Sequence, residues 1–331
     1  MSAIDVHCHI VPERFPAYAG RGRDVPWPSM AEAHACHKHV MISGKLYRTV
    51  ADGSWSVPRR IEHMDATRVA RQVLSPMPEL FSYWLPLEDA KALVRYINEQ
   101  QAGMVVQAPG RFVGLGGVPL QDLDAAVREL EHCLENLKFA GVEIASHVNG
   151  RSIGDPHFAP FFAECERRGA AIFVHALRPA GQDRIVGPFP EQAICFPGDI
   201  ALGCASMITG GTAAKLPKLR IAFSHGGGAM PILLPRLEHM WKVTPKAKEL
   251  LAETPATTAR RFYYDDLVFD PKAIRFLVEQ YGASQIVLGT DYPFAMGDTD
   301  PLATLGRTGL DAATIEGITS GNAKRFLNLE S

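Results

Sequence analysis

The sequence predicts an α/β fold of the (β/α)8 TIM-barrel type, with a small insertion after the first strand. Eight short apolar runs alternate with helical patterns along the 331 residues. This alternation implies parallel strands joined by helices, and eight such units imply a closed barrel, whose usual length is about 250 residues before insertions. The main alternative is an open doubly wound sheet, which would normally carry a glycine-rich turn where this chain has His7, His9 and Pro12.

The first strand is predicted over Ile4–His9. The Pro- and Gly-rich segment of about residues 11–58 that follows is too long for an ordinary loop, so we predict an insertion with a small hairpin. Seven more strands are predicted at Val69–Ser75, Phe112–Val118, Val142–Ala145, Ala171–His175, Leu219–Ser224, Phe262–Tyr264 and Ile286–Gly289. No repeat or break in composition marks a second domain, so residues 1–331 are predicted to form one domain.

Helices are predicted between the strands because apolar residues recur there every three or four positions, and further helices are expected at the C-terminal end. The predicted helices are Leu87–Gln107, Leu123–Phe139, His157–Arg168, Ile200–Ala214, Met230–Trp241 and Pro271–Tyr281. Gly169 directly follows the third of these and is a typical helix stop. A Pro- and Gly-rich loop is expected over Arg178–Pro197.

The composition indicates a globular protein that acts on a small molecule. Lys and Arg number 34 against 36 Asp and Glu, which gives a net charge of -2 and no field suited to nucleic acid or an anionic membrane. The 6 cysteines have no paired spacing and fit reduced thiols in a cytoplasmic protein. Neither a secretory leader nor a run of roughly 20 apolar residues is found, so secretion and membrane insertion are not expected.

Polar residues at the predicted strand ends indicate the functional site, because the C-terminal ends of barrel strands share one mouth. Four strand ends carry such groups: His7 with His9, His175, His225 and Asp291. Side chains two apart on a strand point to the same face, so His7 and His9 can converge on one point. One histidine at a strand end is usually structural, but agreement between four ends favours a site.

Three histidines and a carboxylate, namely His7, His9, His175 and Asp291, would hold a divalent metal and leave room for a water or substrate oxygen. His225 is predicted to be catalytic because the ordinary pKa of histidine suits general acid/base work. Asp291 is counted with it among the predicted catalytic residues. The alternative for His225 is that it merely precedes a glycine turn. His34, His37 and His39 lack further ligand-type partners at suitable spacing and are interpreted as solvated.

The sequence closely resembles the amidohydrolase superfamily, and within it the metal-dependent non-oxidative decarboxylases such as the aminocarboxymuconate-semialdehyde decarboxylases. The motifs that carry this resemblance are Asp5–His9, Val174–Ala176, Ser224–Gly228 and Leu288–Phe294. Matching stretches without a catalytic task are Arg60–Asp65, Val118–Leu123 and Ser320–Ala323. The resemblance therefore covers nearly the whole chain.

The resemblance implies a homodimer with one ligand set for a metal, usually zinc, made of His7, His9, His175 and Asp291, and with His225 as catalytic acid/base. It also assigns a substrate-carboxylate role to an arginine of the insertion, which here is Arg48. The planar guanidinium suits this task because it can pair a carboxylate through two hydrogen bonds. The alternative for Arg48 is a surface residue without a specific contact.

The chain departs from its relatives after Trp241. The aminocarboxymuconate enzymes carry a second carboxylate-binding arginine there, supplied by the neighbouring subunit, whereas this chain has Lys242. Lysine could replace the charge but not the fork of an arginine. The substrate could instead have one carboxylate, or a second one placed differently.

The number of metal ions is also predicted. Superfamily members with two metals bridge them by a carboxylated lysine at the end of the fourth strand, and this chain has no lysine in Val142–Ser146. One divalent ion is therefore expected, and the resemblance implies that it is zinc.

These observations favour a zinc-dependent non-oxidative decarboxylase that acts on an unsaturated or aromatic carboxylic acid. Hydrolysis of a lactone or amide is the second hypothesis, and hydration of an unsaturated dicarboxylic acid is the third. A protein of another class, which binds metal without catalysis, is disfavoured by the intact ligand set together with His225.

Overall fold

The computed structural model describes residues 3–20, 22 and 24–329 of the chain. Residues 1, 2, 21, 23, 330 and 331 of the predicted single domain lie outside the described residues. The strands are β1 (Ala3–Ile10), β2 (Pro28–Glu32), β3 (His37–Ile42), β4 (Lys45–Ala51), β5 (Val69–Pro76), β6 (Phe112–Gly116), β7 (Gly141–Ala145), β8 (His147–Val148), β9 (Arg151–Ser152), β10 (Ala171–His175), β11 (Arg220–Phe223), β12 (Tyr263–Asp265) and β13 (Ile286–Val287).

Thirteen helices accompany them in the described part of the chain. They are α1 (Val57–Thr67), α2 (Leu87–Gln107), α3 (Leu123–Glu131), α4 (Ala159–Arg168), α5 (Glu191–Thr209), α6 (Thr212–Lys215), α7 (Met230–Val243), α8 (Pro245–Leu250), α9 (Pro255–Ala259), α10 (Pro271–Tyr281), α11 (Pro301–Gly306), α12 (Ala312–Glu316) and α13 (Asn322–Leu327).

Eight strands form a parallel sheet in the order β1-β5-β6-β7-β10-β11-β12-β13. The sheet closes on itself because the chain at and after β13 bonds back to β1. The backbone N–H of Val6 donates to the carbonyl of Leu288 at 2.9 Å, and the N–H of Asp291 donates to the carbonyl of His7 at 2.8 Å. The predicted (β/α)8 barrel is confirmed.

The barrel strands are buried on both faces, as expected when helices cover the outside and side chains fill the inside. All eight residues of β1 are buried. Val73, Leu115, Phe173 and Val287 come from four different barrel strands and share one buried cluster. Strands on different sides of a barrel can meet only through its interior, so this cluster fills the barrel. Phe326 of α13 packs against the same cluster.

The insertion between β1 and α1 contains a three-stranded antiparallel sheet in the order β2-β3-β4. The predicted hairpin corresponds to β3 and β4. Its turn is Ser43-Gly44, where φ is 51° and 71°, and glycine adopts such left-handed values without strain. Strand β2 was not predicted, because most of its side chains are exposed and give no apolar pattern. Helix α1 begins at Val57, two residues inside the predicted end of the insertion.

The prediction of a loop over Arg178–Pro197 is wrong in its last part, because α5 already begins at Glu191. Pro197 lies inside this helix, although proline removes a helical hydrogen bond. The carbonyl of Pro197 accepts the N–H of Ala229 at 3.0 Å, so a contact distant in sequence supports this turn of the helix. In the described part of the chain, no helix has both the length and the apolar character needed to cross a membrane.

Candidate active site

The polar residues of the strand ends converge at one end of the barrel. His7, His9, His175 and Asp291 each offer one ligand-type atom, and these atoms all lie within 4.8 Å of one another. Among residues 3–20, 22 and 24–329, no other His, Cys, Asp or Glu residues form such a group of three or more. The three histidines of the insertion, His34, His37 and His39, accordingly do not form a second one.

The distances within the group suit the binding of a cation. Nε2 of His7 lies 3.1 Å from Nε2 of His9. Oδ1 of Asp291 lies 3.1 Å from the His9 nitrogen and 3.5 Å from that of His7. Nε2 of His175 is buried and has no hydrogen-bond partner among the described residues. A buried polar atom without a partner is rare and costs free energy, so three imidazole nitrogens and a carboxylate oxygen fit a divalent metal as their common partner.

The other ring nitrogen of each histidine contacts an oxygen atom. The Nδ1 contacts are His7 with Asp265 Oδ2 at 2.6 Å, His9 with the carbonyl of Pro76 at 3.3 Å, and His175 with the carbonyl of Ala176 at 2.8 Å. Such contacts fix the ring orientation and leave Nε2 free to face the centre. Asp265 was missed by the sequence analysis, although the rule of strand ends applies to it, because it is the last residue of β12.

Burial and neighbouring charges shift the pKa values of this group in different directions. Burial lowers the pKa of His7, but the hydrogen bond with Asp265 and the charge of Asp291 raise it more, to about 9. Burial opposes ionisation of Asp291 too, yet its contact with His9 and the charge of His7 hold its pKa well below the usual range. These two groups are thus stabilised in their charged forms, whereas burial lowers the pKa of His9 and of His175 and keeps both imidazoles neutral, the form that binds a metal.

His225 lies beside the group without belonging to it. Its ring centroid is 5.2 Å from that of His7 and 5.1 Å from that of His175. Its Nδ1 is 2.9 Å from the hydroxyl oxygen of Ser224. Burial, and then the charge of His7, lower the pKa of His225 to about 4. The ring is therefore neutral near pH 7 and can accept a proton.

The turn that carries His225 is tight and is tied to the ligand group. His225 itself has a φ of 54°, which is uncommon outside glycine, and Gly226 follows with 63°. The N–H of Gly226 donates to Oδ1 of Asp265 at 2.8 Å, while Oδ2 of the same carboxylate contacts His7. One buried aspartate thus orients both a proposed ligand and the turn of the proposed acid/base.

A cavity of about 660 Å³ lies beside the ligand group and His225. Its lining includes His175, His225 and Asp291 together with Arg48 of the insertion. The guanidinium of Arg48 lies 4.5 Å from the ring centroid of Phe294. Within the described ranges it has no ion pair, so it is free to receive an anion.

Lys242 does not line this cavity of its own chain. It lies on α7, its side chain is 61% exposed, and its Nζ is 3.8 Å from Glu238 one turn away. Two polar residues of the cavity wall, Glu79 and Arg178, were missed by the sequence analysis. Neither stands at a predicted strand end, and they are 99 residues apart in sequence, so no local pattern indicates that they meet.

Glu143 of β7 was also not assigned a role from the sequence. It is fully buried, and its Oε2 is 3.9 Å from Nδ1 of His9. Burial raises the pKa of Glu143 to about 8. Its carboxyl group is therefore mainly protonated near pH 7.

Comparisons with known proteins agree with this geometry. A family model described as "Amidohydrolase" matches residues 4–329. The chain is 35% identical over 329 residues to the 2-amino-3-carboxymuconate-6-semialdehyde decarboxylase of Dictyostelium discoideum, and the match covers 99% of this chain and 92% of that protein.

Two solved structures are similar. The 5-carboxyvanillate decarboxylase of Novosphingobium aromaticivorans, complexed with manganese and 4-hydroxy-3-methoxy-5-nitrobenzoic acid, has a TM-score of 0.75 and 25% identity, covering 84% of this chain and 82% of that one. IDCase of Metarhizium anisopliae in apo form has a TM-score of 0.84 and 19% identity, covering 100% of this chain and 98% of that one, and shows likeness of fold.

Proposed function

The chain belongs to the amidohydrolase family, and from this membership we propose that it is a metal-dependent, non-oxidative decarboxylase of aromatic or unsaturated carboxylic acids. The observation that carries the proposal is that one cavity wall holds His175 and Asp291 of the His-His-His-Asp group, the neutral His225 and the free guanidinium of Arg48. The decarboxylase names of the relatives from Dictyostelium discoideum and Novosphingobium aromaticivorans support the same reaction class.

One divalent ion would be held by His7, His9, His175 and Asp291. We propose zinc, since three imidazoles and one carboxylate are ligands that zinc accepts readily. Manganese in the Novosphingobium structure makes that ion the alternative. When bound, such an ion stabilises negative charge that develops on substrate oxygens. A single ion agrees with the absence of lysine from Val142–Ser146.

The residues of the cavity would act in turn on the substrate. Arg48 orients the reacting carboxylate through charge-assisted hydrogen bonds. Phe196 and Phe294 line the same cavity and reduce the water around that carboxylate. His225 takes a proton from a hydroxyl group of substrate or water. When the carbon–carbon bond breaks, CO2 leaves, the electron pair stays on the substrate carbon, and the proton held by His225 is transferred to that carbon.

A homodimer is part of the proposal. Helix α7 exposes Ile232, Met240 and Val243, which are 74%, 51% and 57% exposed. Their spacing places them on one side of the helix. Helix α5 packs beside α7 and adds Leu202, which is 62% exposed. Exposed apolar side chains on helices that pack together are typical of a surface that another protein covers. The cytoplasmic location predicted from the unpaired cysteines stays a prediction.

The test of the reaction class is CO2 release from a panel of hydroxybenzoic acids and unsaturated acids. Protein loaded with zinc or manganese is expected to release CO2 from at least one acid, and protein stripped by a chelator is expected to lose this activity. Products are identified by mass, because loss of 44 Da distinguishes decarboxylation from hydration, which adds 18 Da. Turnover of lactones or amides without CO2 release from any acid would contradict the proposal.

A further inference from the structure

Arg178 lies in the wall of the cavity that also holds Arg48 and His225. It lies three residues after β10, the strand that ends with His175. The segment that follows this strand therefore brings the arginine to the mouth of the barrel. Its φ is 45°, in the left-handed region that residues other than glycine seldom adopt. Such a conformation persists only where surrounding contacts hold it.

Two contacts hold the guanidinium in place. Nε donates to the two carboxylate oxygens of Glu79 at 3.1 and 3.3 Å, and Nη2 donates to the same carboxylate. The side chain of Glu79 is only 4% exposed, so this carboxylate is fixed by its own burial. The guanidinium also lies over the ring of Trp84, 3.3 Å from its centroid. Arg178 is therefore oriented before any ligand binds.

The remaining edge of the guanidinium is open. The side chain of Arg178 is 46% exposed. Its Nη1 carries two N–H groups and has no hydrogen-bond acceptor in the part of the chain that the structure describes. A guanidinium whose other edge is already oriented loses little side-chain entropy when it binds an anion. Open N–H groups in the wall of a cavity are a binding site for a carboxylate or another acidic group.

We propose that Arg178 is a specificity-determining residue and that the substrates are acids with two anionic groups. Arg48 holds the carboxylate that is lost, and Arg178 holds the second group, which stays in the product. This inference rests on the proposed function and narrows its substrate class. It also gives the second cationic anchor a position within the same chain, whereas Lys242 lies outside the cavity wall.

A further acidic group of this wall is Glu191, which lies within electrostatic range of both arginines. Burial, and then the charge of Glu79, raise its pKa. Its carboxylate also faces Arg48 and Arg178, whose two positive charges offset its repulsion of a second anion. Glu79 itself is already engaged by Arg178.

Equilibrium binding tests the inference without turnover. Benzoate serves as the probe with one carboxylate, and isophthalate, terephthalate and trans,trans-muconate serve as rigid probes whose two carboxylates are separated by different spans. Calorimetric titration of zinc-loaded wild type is expected to give at least one dicarboxylate a dissociation constant about tenfold or more below that of benzoate, which equals about 1.4 kcal/mol.

The variant Arg178→Gln should remove this advantage, so that the dicarboxylate and benzoate bind with similar dissociation constants. Arg178→Gln leaves the buried Glu79 without its cation, which could impair folding. The double variant Glu79→Gln/Arg178→Gln removes both charges and is therefore titrated in parallel. Arg184→Gln is the matched control, since Arg184 lies in the same loop but outside the cavity wall, and it should keep the advantage.

The inference is overturned if wild type shows no preference for any of the three dicarboxylates. It is equally overturned if the preference survives in a folded Arg178 variant. A wild type that prefers a dicarboxylate through Arg178 but releases CO2 from no acid would support this site and contradict the proposed reaction, so the two failures are distinguishable.

Discussion

Asp265 shows how one residue can determine the properties of the site. It is fully buried, one of its carboxylate oxygens contacts Nδ1 of His7, and the other accepts the N–H of Gly226. The proposed ligand and the turn that carries His225 therefore share a single support. This support lies outside the ligand set itself.

The substitution Asp265→Asn should weaken metal binding by roughly 10- to 100-fold, because the amide no longer supplies the charge that orients the imidazole. Zinc affinity is measured by competition with a chelator of known affinity. Asp124→Asn on the exposed surface of α3 is the control and should bind as wild type does. Equal affinities for wild type and a folded Asp265→Asn would show that the aspartate is not needed to orient His7.

At the residue scale, the sequence indicated which side chains would converge where a residue belongs to a recognisable strand end. His7, His9, His175, His225 and Asp291 were all selected by that rule, and the structure brings them together. Asp265 obeys the same rule, but it lies on β12, a barrel strand of 3 residues that gives only a weak apolar pattern. Arg178 and Glu79 meet only through the tertiary fold, so their pairing could not be read from the sequence.

At the scale of elements, the insertion brings Arg48 to the active site. Arg48 lies in β4, pairs with Val40 of β3, and faces the ring of Phe294 in the segment after β13. The small antiparallel sheet is not part of the barrel, yet it places a cationic side chain at the mouth of the barrel. Loop segments and insertions at this end of a barrel commonly determine the substrate.

The substitution Arg48→Lys should lower kcat/KM on carboxylate substrates by about tenfold or more, although the charge is retained, because lysine cannot form the paired hydrogen bonds. The inhibition constant of an analogue that lacks the reacting carboxylate, and that is therefore not turned over, should change less than the kcat/KM of the acids. Arg59→Lys provides a matched control, since Arg59 is exposed and pairs with Asp52 and Glu62 on the surface. Steady-state kinetics of an Arg48→Lys enzyme that match wild type on every active acid would remove Arg48 from the site.

The elements themselves were predictable where apolar periodicity was strong. Strand β10 and helices α2 and α10 have the predicted bounds, because each has a regular apolar pattern and clear end signals. The start of α5 was missed because Pro197 reads as a helix breaker, whereas contacts with the segment around Ala229 support the helix there. The two-residue strands β8 and β9 are too short to give any periodic signal.

At the scale of the whole molecule, the apolar surface of α7 and α5 leads to a test of assembly. Sedimentation of wild type is expected to give a dimer, and Ile232→Glu/Val243→Glu should give a monomer, because two charges would be buried without partners. Val106→Glu is the matched control, since Val106 is 76% exposed on α2 and should not affect assembly. A monomeric wild type would contradict the proposed homodimer. A dimer that persists with both glutamates would show that the interface lies elsewhere.

Metal content and CO2 release, measured in parallel on wild type, His175→Ala and His225→Ala, test the central claim most directly. That claim is that four residues hold one ion and that a separate histidine moves the proton. Wild type should contain one divalent ion per chain, His175→Ala should lose it, and His225→Ala should keep it while turnover falls by roughly a hundredfold or more. Two ions in wild type, or an empty His225→Ala beside a metal-loaded His175→Ala, would contradict the claim.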